Sequence, residues 1–224
     1  MGRIIAIGNE KGGTGKTTAA VNLAALAAAA GHDVILVDGD PHQQSSARWA
    51  ARRDEFHPEA MRVNSVGLTG RTMERGLQDL ARRYGVVVVD TGASDGPEIR
   101  GAAVVADVLL VPFQPEPADL WTLPTMETLV ERARHHNPKL RVVAMVNRIP
   151  HQNRDVVTVE MRSWISGNVP GLEPSDIVPI VGRTAYGRAF GEGLAVSEPA
   201  KRDTKAVVEM QMLWEAVSRE DTAR

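Results

Sequence analysis

Eight consecutive residues near the N-terminus, Lys11-Gly12-Gly13-Thr14-Gly15-Lys16-Thr17-Thr18, restrict the fold of this chain more than any other stretch. They follow an apolar run at residues 3–8 and lead into an alanine-rich stretch at 16–30 that stops at Gly31, a helix-ending residue. A strand, a glycine loop and a helix in that order make an anion cradle. Loop and helix N–H groups point at the ligand, and glycines let the backbone approach it without Cβ collisions. Lys16 supplies a point charge for β- and γ-phosphates, and the Thr17 hydroxyl can ligate Mg²⁺. The ordinary phosphate-loop pattern G-x-x-x-x-G-K-[ST] fails, because its first glycine would fall at Glu10. The string K-G-G-x-G-K-T stands instead. With glycine at about 7% of residues it arises by chance roughly once in 10⁴ to 10⁵ such chains, which sets aside a purely structural turn.

The rest of the chain alternates strand-like and helix-like patterns, as a parallel sheet with crossover helices requires. Strands are expected at 3–8, 33–37, 61–66, 86–89, 107–111, 142–146 and 177–181, and helices at 16–30, 72–83, 120–135, 156–166 and 205–217. The run Val86-Val87-Val88-Val89 is apolar on both alternations, which marks a central strand covered on both faces. The proline-rich segment 112–117 is a rigid, extended connection. No repeat, low-complexity tract or linker interrupts the pattern. The predicted fold is α/β, a doubly wound, mainly parallel sheet with helices on both faces, spanning residues 1–224 as one domain.

Composition narrows the chemistry. A chain of 224 residues can bury a substantial core, and 43% hydrophobic with 24% charged residues is ordinary for a globular protein. Without cysteine there is no disulfide, Cys-ligated zinc, iron–sulfur cluster or thiol catalysis. The apolar stretches at 3–8 and 23–30 are too short for a secretory signal or a membrane span, so a soluble cytoplasmic protein is expected. Net charge is −2, but residues 131–162 carry seven Lys/Arg against three acids, a locally basic segment. The six histidines show no metal-ligand spacing beyond the adjacent pair at 135 and 136.

In open α/β sheets ligands sit beyond the carboxyl ends of strands. Asp38 and Asp40 close one predicted strand and Asp90 another, so three carboxylates should converge on the loop. Asp90, after its run of valines, suits the Mg²⁺ shell, through water, and Asp40 is the candidate to orient an attacking water. For Asp38 a direct role and a loop-ordering role remain equal alternatives.

KGGTGKTT, VDGDPHQQSSARW and VVVVDTGASD together resemble the deviant Walker A, A′ and B boxes of the ParA/MinD superfamily of P-loop NTPases. The similarity runs over essentially the whole chain. It is greatest to small ParA-type partition ATPases that begin directly at the first strand, without an N-terminal helix-turn-helix region. The stretch from Arg183 to Glu198 is similar to their C-terminal region. The resemblance implies ATP and Mg²⁺ as cofactors, with Gly12, Gly13, Thr14, Gly15, Lys16, Thr17 and Thr18 around the nucleotide. It implies that Lys11 is a signature lysine reaching the partner's phosphates across an ATP-dependent homodimer. It also implies that Asp40 supports hydrolysis and Asp90 Mg²⁺, that Asn147 contacts adenine, and that residues 112–117 form a base-side loop. Two departures stand out: His42 replaces the usual glutamine of the A′ box, and Thr91-Gly92-Ala93 follows Asp90 where many relatives have prolines.

The function implied is a slow, partner-stimulated ATP hydrolase that binds nonspecific DNA in its ATP state. It would position or segregate plasmid, chromosome or protein cargo with a ParB-like or cargo-adaptor protein, in the nucleoid-associated cytoplasm. DNA contacts are expected from Arg183, Arg188, Lys201, Arg202 and Lys205, extended by Arg148, Arg154 and Arg162. The alternative is a MipZ/MinD-like regulator of division-site placement, for Gly8-Asn9-Glu10-Lys11 resembles MipZ-like proteins. Membrane attachment through the C-terminal helix is not expected. Its apolar stripe Val207, Met210, Trp214 and Val217 is opposed by Glu209, Glu215, Glu220 and Asp221, which anionic lipid would repel.

Overall fold

The computed structural model describes residues 1–93, 96–116, 123–168 and 176–219. Its seven strands are β1 (Arg3–Ile7), β2 (Val34–Gly39), β3 (Asn64–Gly67), β4 (Val86–Thr91), β5 (Val108–Phe113), β6 (Arg141–Ile149) and β7 (Ile177–Val181). All pair in parallel in one sheet ordered β3-β2-β4-β1-β5-β6-β7. The period-two pleat divides each central strand between two cores. Ile5, Ile7, Leu36, Val86 and Val88 face one, while Ile4, Ala6, Ile35, Val37, Val87 and Val89 face the other. The doubly wound architecture expected from the sequence is the one observed.

Against the first face lie α1 (Lys16–Ala29), α2 (Ser45–Phe56), α7 (Thr184–Glu192) and α8 (Thr204–Ser218); against the second lie α3 (Met73–Ala81), α4 (Pro97–Val105) and α5 (Leu123–His136). A smaller core joins β6 and β7 to α6 (Arg154–Asn168). Helix α1 is buried nearly all round, as its alanine-rich composition permits, and ends at Gly31 with φ +87°.

Some boundaries shift, and three helices were not expected. Strand β2 runs on through Asp38 to Gly39, and β3 begins at Asn64 rather than 61. Helix α2 buries a narrow stripe of Ser46, Trp49, Ala50 and Arg53 inside a strongly polar sequence. Helix α4 is short and contains Gly101, and α7 holds two glycines, Gly187 and Gly191, so propensity argues against both. Residues 117 and 120–122 of two predicted elements lie outside the described residues.

Candidate functional site

Strand β1 ends at Ile7 and α1 opens at Lys16, so residues 8–15 form the turn between them. Gly13 and Gly15 take φ of +76° and +105°, values a side chain would resist. The loop's carbonyls are tied down from outside. Lys16 Nζ donates to Asn9 O at 3.0 Å and Lys11 O at 2.8 Å, Gln114 Nε2 to Gly13 O at 3.1 Å, and Asn147 Nδ2 to Thr14 O at 2.7 Å. Asn9, fully buried, donates to Pro112 O and accepts from the Lys11 N–H. Burial holds the Lys16 amine below its ordinary pKa, an effect opposed by the nearby charges of Asp90 and Asp40.

The two acidic strand ends are neighbours: Asp38 and Asp90 stand side by side in the β2–β4 register. Asp38 accepts from the Ser46 hydroxyl and the Ala47 N–H, both at 2.9 Å, and from the Asp40 N–H at 3.0 Å. Those bonds order the turn after β2 and seat the first turn of α2. Asp40, half-buried, accepts from the N–H groups of His42 and Gln43 at 2.9 Å and lies against Gly92. The turn at 40–43 is therefore organised by backbone N–H groups on Asp40, and the exposed His42 side chain has no part in it.

Asp90 is 1% exposed. Burial pushes its carboxyl up to about 7; a Thr17 hydrogen bond lowers it, the Asp38 charge raises it, and Ser46 and Lys16 lower it. Among the described residues its Oδ1 has no hydrogen-bond partner. A buried carboxylate oxygen without a donor among the described residues, beside a threonine hydroxyl, suits a hard divalent cation such as Mg²⁺. No helix among the described residues is long and apolar enough to cross a membrane.

Lys11 is partly exposed, and its Nζ sits 3.8 Å from Glu116 Oε2 of its own chain. The segment 112–116 lies against Asn9 and Gly13, on the outer side of the loop. On the other side is a cavity of about 440 Å³ lined by Gly15, Thr18, Asn147, Arg148, Thr184 and Tyr186 among others. Asn147 thus stands between loop and cavity, inside β6 where its register with β7 shifts. Arg148 follows it with φ +56°. Sequence reasoning missed Asn9, Gln114 and Ser46: each is a polar residue whose role depends on which loop it meets in space.

The basic residues divide. Arg188, Lys201 and Arg202 are exposed around one shallow cavity of about 250 Å³, and Lys205 is exposed on the first turn of α8. Arg183 is not displayed with them. Its guanidinium is bound to Glu209 at 2.8 Å and approaches Asp203, and its side chain is 11% exposed. Glu209, expected on the outer face of α8, points inward to Arg183, Tyr186 and the Val181 N–H. Arg162 donates to Ile177 O, and Arg148 lines the 440 Å³ cavity.

Residues 5–165 match the family described as the CobQ/CobB/MinD/ParA nucleotide binding domain. The chain is 34% identical over 195 residues to the maintenance of carboxysome distribution protein A of Gloeobacter kilaueensis, spanning 87% of this chain and 83% of that one. It is 28% identical over 222 residues to the chromosome-partitioning ATPase Soj of Thermus thermophilus, spanning 88% and 89%. Among solved structures, a Cyanothece McdA–ATP complex superposes with a TM-score of 0.74 at 15% identity, over 100% of this chain and 99% of that one. With its phosphate loop, its two acidic strand ends and this similarity, the chain belongs to the CobQ/CobB/MinD/ParA family of nucleotide-binding domains.

Proposed function

We propose that this chain is an ATP-driven positioning switch: it binds Mg-ATP, pairs with a second copy, holds nonspecific DNA in that state and releases it after hydrolysis. The observation that carries the reading is the buried Asp90 carboxylate, with an oxygen unpartnered among the described residues, beside Lys16 at the mouth of a carbonyl-tethered glycine loop. Thr17 and, through water, Asp90 would hold Mg²⁺. When bound, Mg²⁺ neutralises charge on the β- and γ-phosphate oxygens. Lys16 exchanges its contacts with the Asn9 and Lys11 carbonyls for phosphate oxygens. Lys11 leaves Glu116 to reach the partner's nucleotide. Asp40 orients a water toward the γ-phosphorus; the new P–O bond forms as the bond to the β-bridging oxygen breaks, giving ADP and phosphate.

Arg188, Lys201, Arg202 and Lys205 supply the DNA contacts, which salt should weaken steeply. The relatives' names cover both carboxysome distribution and chromosome partitioning, so the cargo class includes protein assemblies as well as DNA. A membrane-bound division regulator is less well supported: Met210, Trp214 and Val217 pack inward, and the last carbonyls of α8 are held by Arg3 and Arg141.

The test is ATP binding, hydrolysis and dimerisation of wild type, Lys16→Ala and Asp40→Ala. Lys16→Ala should lose nucleotide affinity, and Asp40→Ala should bind ATP and accumulate as dimer while turnover falls at least a hundredfold. Unchanged hydrolysis in Asp40→Ala would remove it from the mechanism.

A further inference from the structure

The phosphate loop is gripped by two side-chain amides from strands other than its own. Gln114, 8% exposed just beyond β5, donates to Gly13 O, and Asn147 in β6 donates to Thr14 O. Both ends of the Asn147 amide are engaged: its oxygen accepts from the Arg148 N–H at 2.8 Å. Rotating it by 180° would set oxygen against the Thr14 carbonyl and nitrogen against an N–H, so the orientation is fixed by its neighbours. Gly15 completes the fit, because a Cβ there would lie 2.3 Å from Asn147 Nδ2.

In a trans peptide the C=O and the following N–H point in opposite directions. Pulling Gly13 O outward therefore turns the Thr14 N–H inward, and pulling Thr14 O outward turns the Gly15 N–H inward. Those are successive donors of the cradle, in a backbone whose glycines at 13 and 15 have positive φ and little rotational preference of their own. We propose that Gln114 and Asn147 are positioning residues that clamp successive peptides of the phosphate loop and pre-aim its N–H groups at the nucleotide's phosphates. This gives Asn147 a role that does not depend on the base, although it borders the 440 Å³ cavity. The inference rests on the nucleotide-binding reading above.

The experiment compares Kd for ATP and for inosine triphosphate, which lacks the adenine amino group, in wild type, Asn147→Ala and Gln114→Met. Both substitutions avoid adding charge near the phosphates. Each should weaken both nucleotides by about the same factor, on the order of tenfold. The double variant should lose less than the product of the two single losses, since both clamps act on one loop. Unfolding without nucleotide, followed in parallel, separates loss of aim from loss of fold, and the midpoint of Gln114→Met should stay near that of wild type. Selective loss of ATP in Asn147→Ala would make Asn147 a base contact and overturn the clamp there. Undiminished affinity in Gln114→Met would overturn it at Gln114. A wild type that binds neither nucleotide would instead remove the underlying reading, and the clamp with it.

Discussion

Asp90 shows how much one buried carboxyl can report about the site around it. Its folded-state pKa is raised from 3.8 to about 7, so the proton favours the folded chain. That contribution is complete below pH 4 and lost as pH rises through 7. Asp90→Asn should therefore make the nucleotide-free protein more stable than wild type at pH 8, by on the order of 4 kcal/mol at most, from about three pKa units. The gap should close on going to pH 4. Urea denaturation of both proteins across that range measures it, and a gap independent of pH would exclude Asp90 as the titrating group. Much of this residue-level chemistry was legible in the chain: glycine strings and aspartates after apolar runs announce themselves locally. Asn9, Gln114 and Ser46 did not, because each meets its partner across a strand order that no local pattern encodes.

At the scale of elements, α2 is the least legible piece and one of the best anchored. Its first turn hangs on Asp38, and its last reaches the segment after α7. There Arg53, 1% exposed, donates to Glu198 at 2.7 Å and to Met61 O, and Trp49 Nε1 donates to Leu194 O. On α1, Asn22 accepts from the Val196 N–H. Glu198→Gln should cost about 2 kcal/mol of stability in chemical denaturation, since it leaves the buried guanidinium short of its countercharge. A change below about 0.5 kcal/mol would mean the carbonyls of Met61 and Gly193 suffice for Arg53. Strands were easier to read than this helix because a buried parallel strand is apolar throughout. Helix α2 buries only Ser46, Trp49, Ala50 and Arg53 and turns most of its other side chains to solvent.

For the whole molecule, Mg-nucleotide is expected to act as a missing part of the structure. At a free concentration one hundred times its Kd, a nucleotide that binds only the folded chain adds about 2.7 kcal/mol. For a chain of 224 residues this raises Tm by about 5–10 °C. Thermal scans with and without Mg-ADP should show that shift in wild type and lose it in Lys16→Ala; equal shifts in the two would mean binding elsewhere. The doubly wound sheet itself was visible in the sequence, because seven short apolar runs separated by helix-length stretches admit few other arrangements.

Helix α1 has one further consequence. Ala19, Ala20, Ala24 and Ala27 have no exposed surface at all, and the helix packs against β4, α2 and α8 together. A rod so enclosed by small side chains has little slack, so its packing holds it in place. In the proposed cycle it would be the stationary reference for the nucleotide. Rearrangement is then expected outside α1, in the turn at 40–43 that hangs from the end of β2.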